Sequence, residues 1–185
     1  MAPKLAAFLA NYTACVEESA VWGNGLLPLQ IASHLSHEVL PVEFITSVRC
    51  VLLRGEAVLV VRNLENSYHI LPGGRRESGE SLEATLRREI LEETGWVIAK
   101  PHLLGFKHFH HLSPKPEGYR YPYPDFVQLI YAARAEEFMP NVVISEINAE
   151  NFEGTTEFLP LTDVLALELT ASDRLYLNAA LKFGL

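Results

Sequence analysis

Cysteine is scarce in this 185-residue chain, with only Cys15 and Cys50 present. They stand far apart and form no CxxC pair, so neither a thiolate zinc centre nor a disulfide framework is suggested. Apolar neighbours at both positions predict buried thiols in a reducing compartment. Long apolar runs are missing too. The stretch Leu5 to Ala10 is broken by Asn11 too early for a signal sequence or membrane span, so the expected location is the cytoplasm. Positive charge is outnumbered, with 15 lysines and arginines against 23 aspartates and glutamates. The net charge of −8 disfavours loose binding to nucleic acid or to an anionic membrane. Phosphorylated small molecules stay open as partners, because a divalent ion and local arginines can reverse the sign within a site.

What is present is an ordinary globular mixture, 49% apolar and 21% charged, with no internal repeat. Its length suits one domain with a terminal appendage. Pro3 and the following LAAFLANYTACVEE predict an amphipathic helix, with Leu5, Phe8, Leu9 and Tyr12 at helical spacing. Asn24-Gly25 breaks the chain, and Pro28 and Pro41 bracket an ambiguous segment. Residues 1–44 thus read as a helical extension, suited either to covering a sheet or to dimerisation and substrate choice. From 45 to 185 the chain reads as the main domain. SVRCVLLR, Gly55 and AVLVVR predict a hairpin, and Phe126 to Ala133 predicts a further strand.

The informative stretch is Gly74 to Trp96, GRRESGESLEATLRREILEETGW. Ser81 is placed to cap a helix that runs through Glu93, and Gly95 to end it in a left-handed turn. Leu82, Leu86 and Ile90 lie near one face, with Ala84 and Leu91 almost opposite, so the helix is expected to be enclosed between layers. Glu89, Glu92 and Glu93 follow at i, i+3 and i+4, which gathers three carboxylates within roughly a third of the helix circumference. Such crowding is unfavourable without a cation among them. A hard ion such as Mg²⁺ takes oxygen ligands of this kind and keeps waters or phosphates in its shell.

The stretch resembles the Nudix box, G-x5-E-x7-R-E-U-x-E-E-x-G-U, with U a bulky apolar residue. Gly74, Glu80, Arg88, Glu89, Ile90, Glu92, Glu93, Gly95 and Trp96 fill its defined positions. The resemblance implies an α/β fold, an α/β/α sandwich around a mixed sheet. It also implies Mg²⁺- or Mn²⁺-dependent hydrolysis of a nucleoside diphosphate linked to another moiety. By the same resemblance Glu89, Glu92 and Glu93 are metal ligands, one of them able to accept a proton from water. Glu80 and Arg88 are orienting residues, for which an Arg–carboxylate fork is well suited. A further carboxylate from a downstream loop falls on Glu153, or next on Glu150.

Other candidates lie outside the box. Gly73 lets the main chain approach a metal, through its own carbonyl or the Gly74 amide. Arg75 and Arg76 either grip substrate phosphates or pair with Glu77 and Glu80. His69 precedes the LPGG turn and touches either a base or its own protein surroundings. Arg49, inside an apolar strand, requires a partner, either a substrate phosphate or a buried acid. His108, His110 and His111 form either a transition-metal group or a polar strand edge. Tyr119, Tyr121, Tyr123 and Phe126 either stack a base or pack a loop. A nucleotide-type substrate is the expected partner, either a nucleoside triphosphate or a nucleotide sugar of the ADP-ribose type. The competing reading is a nucleotide sensor without turnover, but such modules usually lose carboxylates that this chain keeps.

Overall fold

Two strands distant in sequence run side by side and parallel at the centre of the molecule. The computed structural model describes residues 1–22, 27–62, 67–119, 121–139 and 155–183. Helix α1 (Pro3–Leu9) and strands β1 (Val16–Trp22), β2 (Leu27–Leu35), β3 (Ile45–Arg54), β4 (Ala57–Arg62) and β5 (Tyr68–His69) precede helix α2 (Leu82–Thr94). Strands β6 (Trp96–Ile98), β7 (His102–His111), β8 (Asp125–Phe138) and β9 (Thr155–Pro160) follow, then helices α3 (Leu161–Ala166) and α4 (Ala171–Lys182). The sheet order is β1-β2-β7-β8-β3-β4-β5, with β9 beside β4 and β6 beside the far end of β8. Only β3 and β8 pair in parallel; the other described pairs are antiparallel.

Both faces of the central strands are covered, so β3 and β8 read as nearly unbroken apolar runs. Leu5 of α1 and Leu86 and Ile90 of α2 pack one face, against Val48, Cys50, Leu52, Val127 and Leu129. Val164 of α3 and Tyr176, Leu177 and Ala180 of α4 pack the other, against Val51, Leu53, Ile130 and Ala132. This is the layered α/β/α arrangement expected from the resemblance. Among the described residues no helix is long and apolar enough to cross a membrane.

Helix α2 begins and ends as its sequence predicts. The Ser81 hydroxyl accepts the Ala84 amide at 3.1 Å, and Gly95 turns with φ 74° while its amide reaches the Leu91 carbonyl at 2.9 Å. The expected double enclosure is not found. Leu86 and Ile90 are buried whereas Ala84 is exposed, and Arg87 pairs outward with Glu83 at 2.9 Å. One face of α2 meets the sheet, and the rest opens to the cleft and to solvent.

The amino-terminal reading needs a larger correction. The helix stops at Leu9, and residues from Val16 form a strand rather than a continuation. Burial in β1 alternates residue by residue up to Val21, the period of two that a half-covered strand requires. The segment between Pro28 and Pro41 supplies β2, which pairs with β7 over Leu29 to Leu35. Cys50 is buried as expected, but Cys15 is exposed in the turn before β1. Helix α1 sets Leu5 wholly inside the core and brings Phe8 and Tyr12 against Phe106, each 5.7 Å between ring centroids. Truncating Leu5→Ala is therefore expected to lower stability by about 2–5 kcal/mol in urea unfolding, within one cooperative transition. A loss below about 0.5 kcal/mol, as for a surface residue, would show that the segment is not part of the core.

Candidate active site

The site arises where two strands part company. β3 and β4 pair only at Leu53–Val58 and Arg54–Ala57; β4 then continues with β9 along its other edge and meets β5 at Val61 and Arg62. The hydrogen-bonding groups of β3 left without a strand partner are taken by the segment that follows β5. Cys50 and Val48 donate to the carbonyls of Pro72 and Gly74 at 2.9 and 3.0 Å, and Arg76 donates to Thr46 at 3.1 Å. Gly73 has φ 129°, and a Cβ there would lie 2.4 Å from the Val48 carbonyl oxygen. Only glycine allows the segment to lie this close. At Gly74 a Cβ would land on the carboxylate of Glu89, 2.1 Å from one oxygen. The turn and α2 are thus in immediate contact.

One guanidinium gathers the acids of α2. Arg88 donates through Nε to Glu80 at 2.7 Å and through Nη2 to the other Glu80 oxygen at 3.0 Å. Its Nη1 reaches both Glu89 and Glu92 at 3.0 Å. Glu80 also accepts the Thr85 hydroxyl at 2.9 Å and the Glu77 amide at 3.2 Å. The Arg88 fork, with help from these donors, holds the Glu80 carboxyl down at about 2. The Glu93 carboxylate is turned in toward the glycine turn and accepts the Gly73 amide at 2.7 Å. Loss of hydration raises both Glu89 and Glu93 above the usual carboxylate range; Arg88 opposes this at Glu89, and the Gly73 amide opposes it at Glu93.

The arginines outside the box take separate places. Arg49, partly buried on β3, donates to the Gly73 carbonyl. Desolvation pushes its pKa down while Glu93 and Glu89 support its charge. Arg75 stacks 4.6 Å above the Tyr121 ring and donates to its hydroxyl at 2.5 Å. Arg76 donates to the Glu80 carbonyl at 2.9 Å. His69, on β5, is desolvated and sits in the field of Arg49 and Lys107, which together lower it to about 4. It is neutral at pH 7. Glu153 and Glu150 lie outside the described residues.

The three histidines do not come together. His108 and His110 both bond one oxygen of Asp125, at 2.9 and 2.8 Å. His111 points to the opposite face, as the next residue in a strand must, and bonds the Tyr119 hydroxyl at 3.0 Å. Among the described residues no three His, Cys, Asp or Glu side chains close on one point as a preformed metal cage. The oxygens of Glu89, Glu92 and Glu93 nonetheless make a hard donor set, now answered by Arg88 and by one backbone amide. Such a set fits a divalent ion that completes its shell with water and phosphate. Sequence reasoning missed Asp125, the shared partner of His108 and His110. The available signal was the one used for Arg49, a polar residue within an apolar strand.

Residues 43–179 match the family model described as NUDIX domain. A curated relative, the uncharacterized Nudix hydrolase YvcI of Bacillus subtilis (strain 168), is 41% identical over 56 residues. That match covers 30% of this chain and 35% of the relative, well under two thirds of its length. Among solved structures, the NUDIX domain of Shewanella oneidensis NrtR complexed with ADP ribose gives a TM-score of 0.54 at 21% identity. It covers 76% of this chain and 88% of that one. A crystal structure of an ADP compounds hydrolase gives a TM-score of 0.53 at 18% identity and covers 93% of both chains. At these identities the likeness is one of fold.

The Glu80–Arg88 fork has a pH signature. Folding lowers Glu80 from 4.5 to about 2, so its contribution is present above pH 4.5 and is lost as pH falls toward 2. Glu80→Gln should lower the melting temperature at pH 7, and the gap to the wild type should narrow steadily between those limits. A gap that is constant with pH would show that the carboxylate charge is not what holds Arg88.

Proposed function

Because the chain belongs to the Nudix family, its NUDIX domain spanning residues 43–179, we propose that it is a metal-dependent pyrophosphohydrolase. The substrate is a nucleoside diphosphate linked to another moiety, either a nucleoside triphosphate or a nucleotide sugar of the ADP-ribose type. The observation that carries this reading is the contact between the Gly73–Gly74 turn and the carboxylates of Glu89 and Glu93. Mg²⁺ or Mn²⁺ would be held by Glu89, Glu92 and Glu93, with the Gly73 carbonyl as a further oxygen ligand. When bound, such an ion neutralises phosphate oxygens and makes a water molecule more acidic.

The chain's own residues supply the rest. Glu80 fixes Arg88, and Arg88 keeps Glu89 and Glu92 aimed to the same side of α2. The Gly73 amide does the same for Glu93. A Glu89 or Glu93 oxygen accepts the proton of the attacking water. Desolvation raises both pKa values in the metal-free chain, and a bound divalent cation would draw them down and keep both carboxylates ionised. Arg49, now on the Gly73 carbonyl, is within the same cluster and can turn its guanidinium to a substrate phosphate. Arg75 stands on the far side of the turn, presented by Tyr121. Arg76 supports Glu80 through its carbonyl, which favours a positioning role over phosphate contact. Neutral His69 lines the cleft beside Arg49 as a hydrogen-bonding group rather than a cation. The setting of the reaction is the cytoplasm.

A product-resolved panel of nucleoside triphosphates, nucleotide sugars and ADP-ribose, with Mg²⁺ or Mn²⁺, tests the reading. Glu93→Gln should keep the circular dichroism of the wild type and lose at least about 100-fold in kcat/KM. Tight nucleotide binding with no turnover by the wild type across the panel would overturn it in favour of a sensor.

A further inference from the structure

The helical layer of α4 and the aromatic group at the mouth of the sheet leave a lane of polar residues between them. The strand registers place Ser33 opposite Lys107, Lys107 opposite Gln128, and Gln128 opposite Ser47. Ser47 in turn bridges to Arg75. Directly paired residues in a sheet point to the same face, so these five form one row across β2, β7, β8, β3 and the turn segment. The face is that of α4. Ser33 Oγ lies 2.8 Å from Ser172 Oγ, and Lys107 Nζ lies 3.6 Å from Asp173 and 5.8 Å from the centre of the Tyr176 ring. On one flank Phe109 and Phe126 stack at 4.6 Å, and on the other are Ile130 and Arg49.

A polar row on an apolar face loses hydration on folding, so each member needs a partner. At the ends the partners are present, Ser172 and Asp173 at one and Tyr121 at the other. In the middle Ser47, only 3% exposed, has none for its hydroxyl among the described residues. Gln128 lies beside it, partly exposed, and is the break in the apolar run of β8. Strands lie about 4.8 Å apart, so Gln128 and Lys107 stand about 10 and 14 Å from Arg75 along the row. That span suits a nucleoside whose phosphate end is at the Gly73–Gly74 turn.

We infer that this row is the recognition floor for the nucleobase, and that it selects a base with a carbonyl oxygen at the position where adenine and cytosine carry an exocyclic amine. The assignment rests on the nucleotide hydrolase reading and narrows its substrate class. Lys107 is a donor only, with its charge already balanced by Asp173, so it favours an oxo acceptor and offers nothing to an exocyclic amine. Gln128 supplies both a donor and an acceptor to the same edge, and Ser47 lies one strand nearer the turn, where a ribose passes. Guanine and uracil meet these demands; adenine and cytosine, each with an amine at the corresponding edge, do not.

Calorimetric titration of GDP, UDP, ADP and CDP into the wild type, Gln128→Leu, Lys107→Met and Ser47→Ala tests the assignment. The wild type should bind GDP or UDP at least about tenfold more tightly than ADP or CDP, and Gln128→Leu and Lys107→Met should cut that preference below about threefold. Ser47→Ala should weaken the preferred nucleotide about fivefold while leaving the melting temperature unchanged or higher, because it removes an unpartnered buried hydroxyl. A purely structural serine would shift stability and leave affinity alone. Lys107→Met strands Asp173, so if it unfolds, Gln128→Leu decides, since leucine suits an apolar strand face. No nucleotide binding by the wild type, tightest binding of ADP or CDP, or a preference that survives in Gln128→Leu would each overturn the inference. Hydrolysis measured separately tells the two readings apart. Selective binding without turnover removes the hydrolase and keeps the floor, whereas turnover with no base preference removes the floor and keeps the hydrolase.

Discussion

Most of the site depends on where the Arg88 guanidinium is held. Three glutamates of α2 and its approach converge on that one planar group, Glu80 by a two-point fork and Glu89 and Glu92 through a shared nitrogen. Without a central cation the acids would repel one another and turn into solvent. The cation in turn is fixed by Glu80, itself fixed by Thr85, the Glu77 amide and the Ser81-capped start of α2. A long, flexible arginine is thereby reduced to one geometry. The same fork gives the helix acids a counter-charge on one side and leaves their other lone pairs toward the turn.

Elements specified by local chemistry were legible in the sequence. The cap and stop of α2 each depend on one residue and a neighbour within four positions, so Ser81 and Gly95 announce them. The strands β3, β4 and β8 are dense in Val, Leu and Ile and bounded by turns. The amino-terminal segment was harder because its opening turns carry both patterns. Leu5, Phe8 and Leu9 fit a helix, and VEESAVW fits a strand, but no glycine or proline marks the junction. Pairing between β1 and β2, and of β2 with β7, decides the matter through contacts far away in sequence. The apolar residues on the outer side of α2 misled for a related reason: a lone Ala84 on a helix is compatible with solvent and says little about a second layer.

The candidate site divides along the same line. The acids of α2 and the glycine turn sit within one continuous stretch, and the residues that surround them in space could be named from it. The polar row could not be named, because its members come from four strands and a turn and become neighbours only when the register is known. Gln128 or Lys107 alone looks like an ordinary polar break in a strand. Likewise His108, His110 and His111 look like a trio until the alternation of β7 sends the last one to the other face, leaving Asp125 to join the first two.

The strand β1 has a consequence of its own. Among the described residues it is the outermost strand of the sheet on its side, and an outermost strand offers unpaired backbone groups to any other extended chain. β1 carries two adjacent acids in its first half, Glu17 exposed to solvent and Glu18 turned inward to the Ser172 hydroxyl and amide at the start of α4. A second β1 laid alongside would bring like charges together and meet a strand already tethered to a helix. The bonds that fix β1 in place thus also guard this one edge of the sheet.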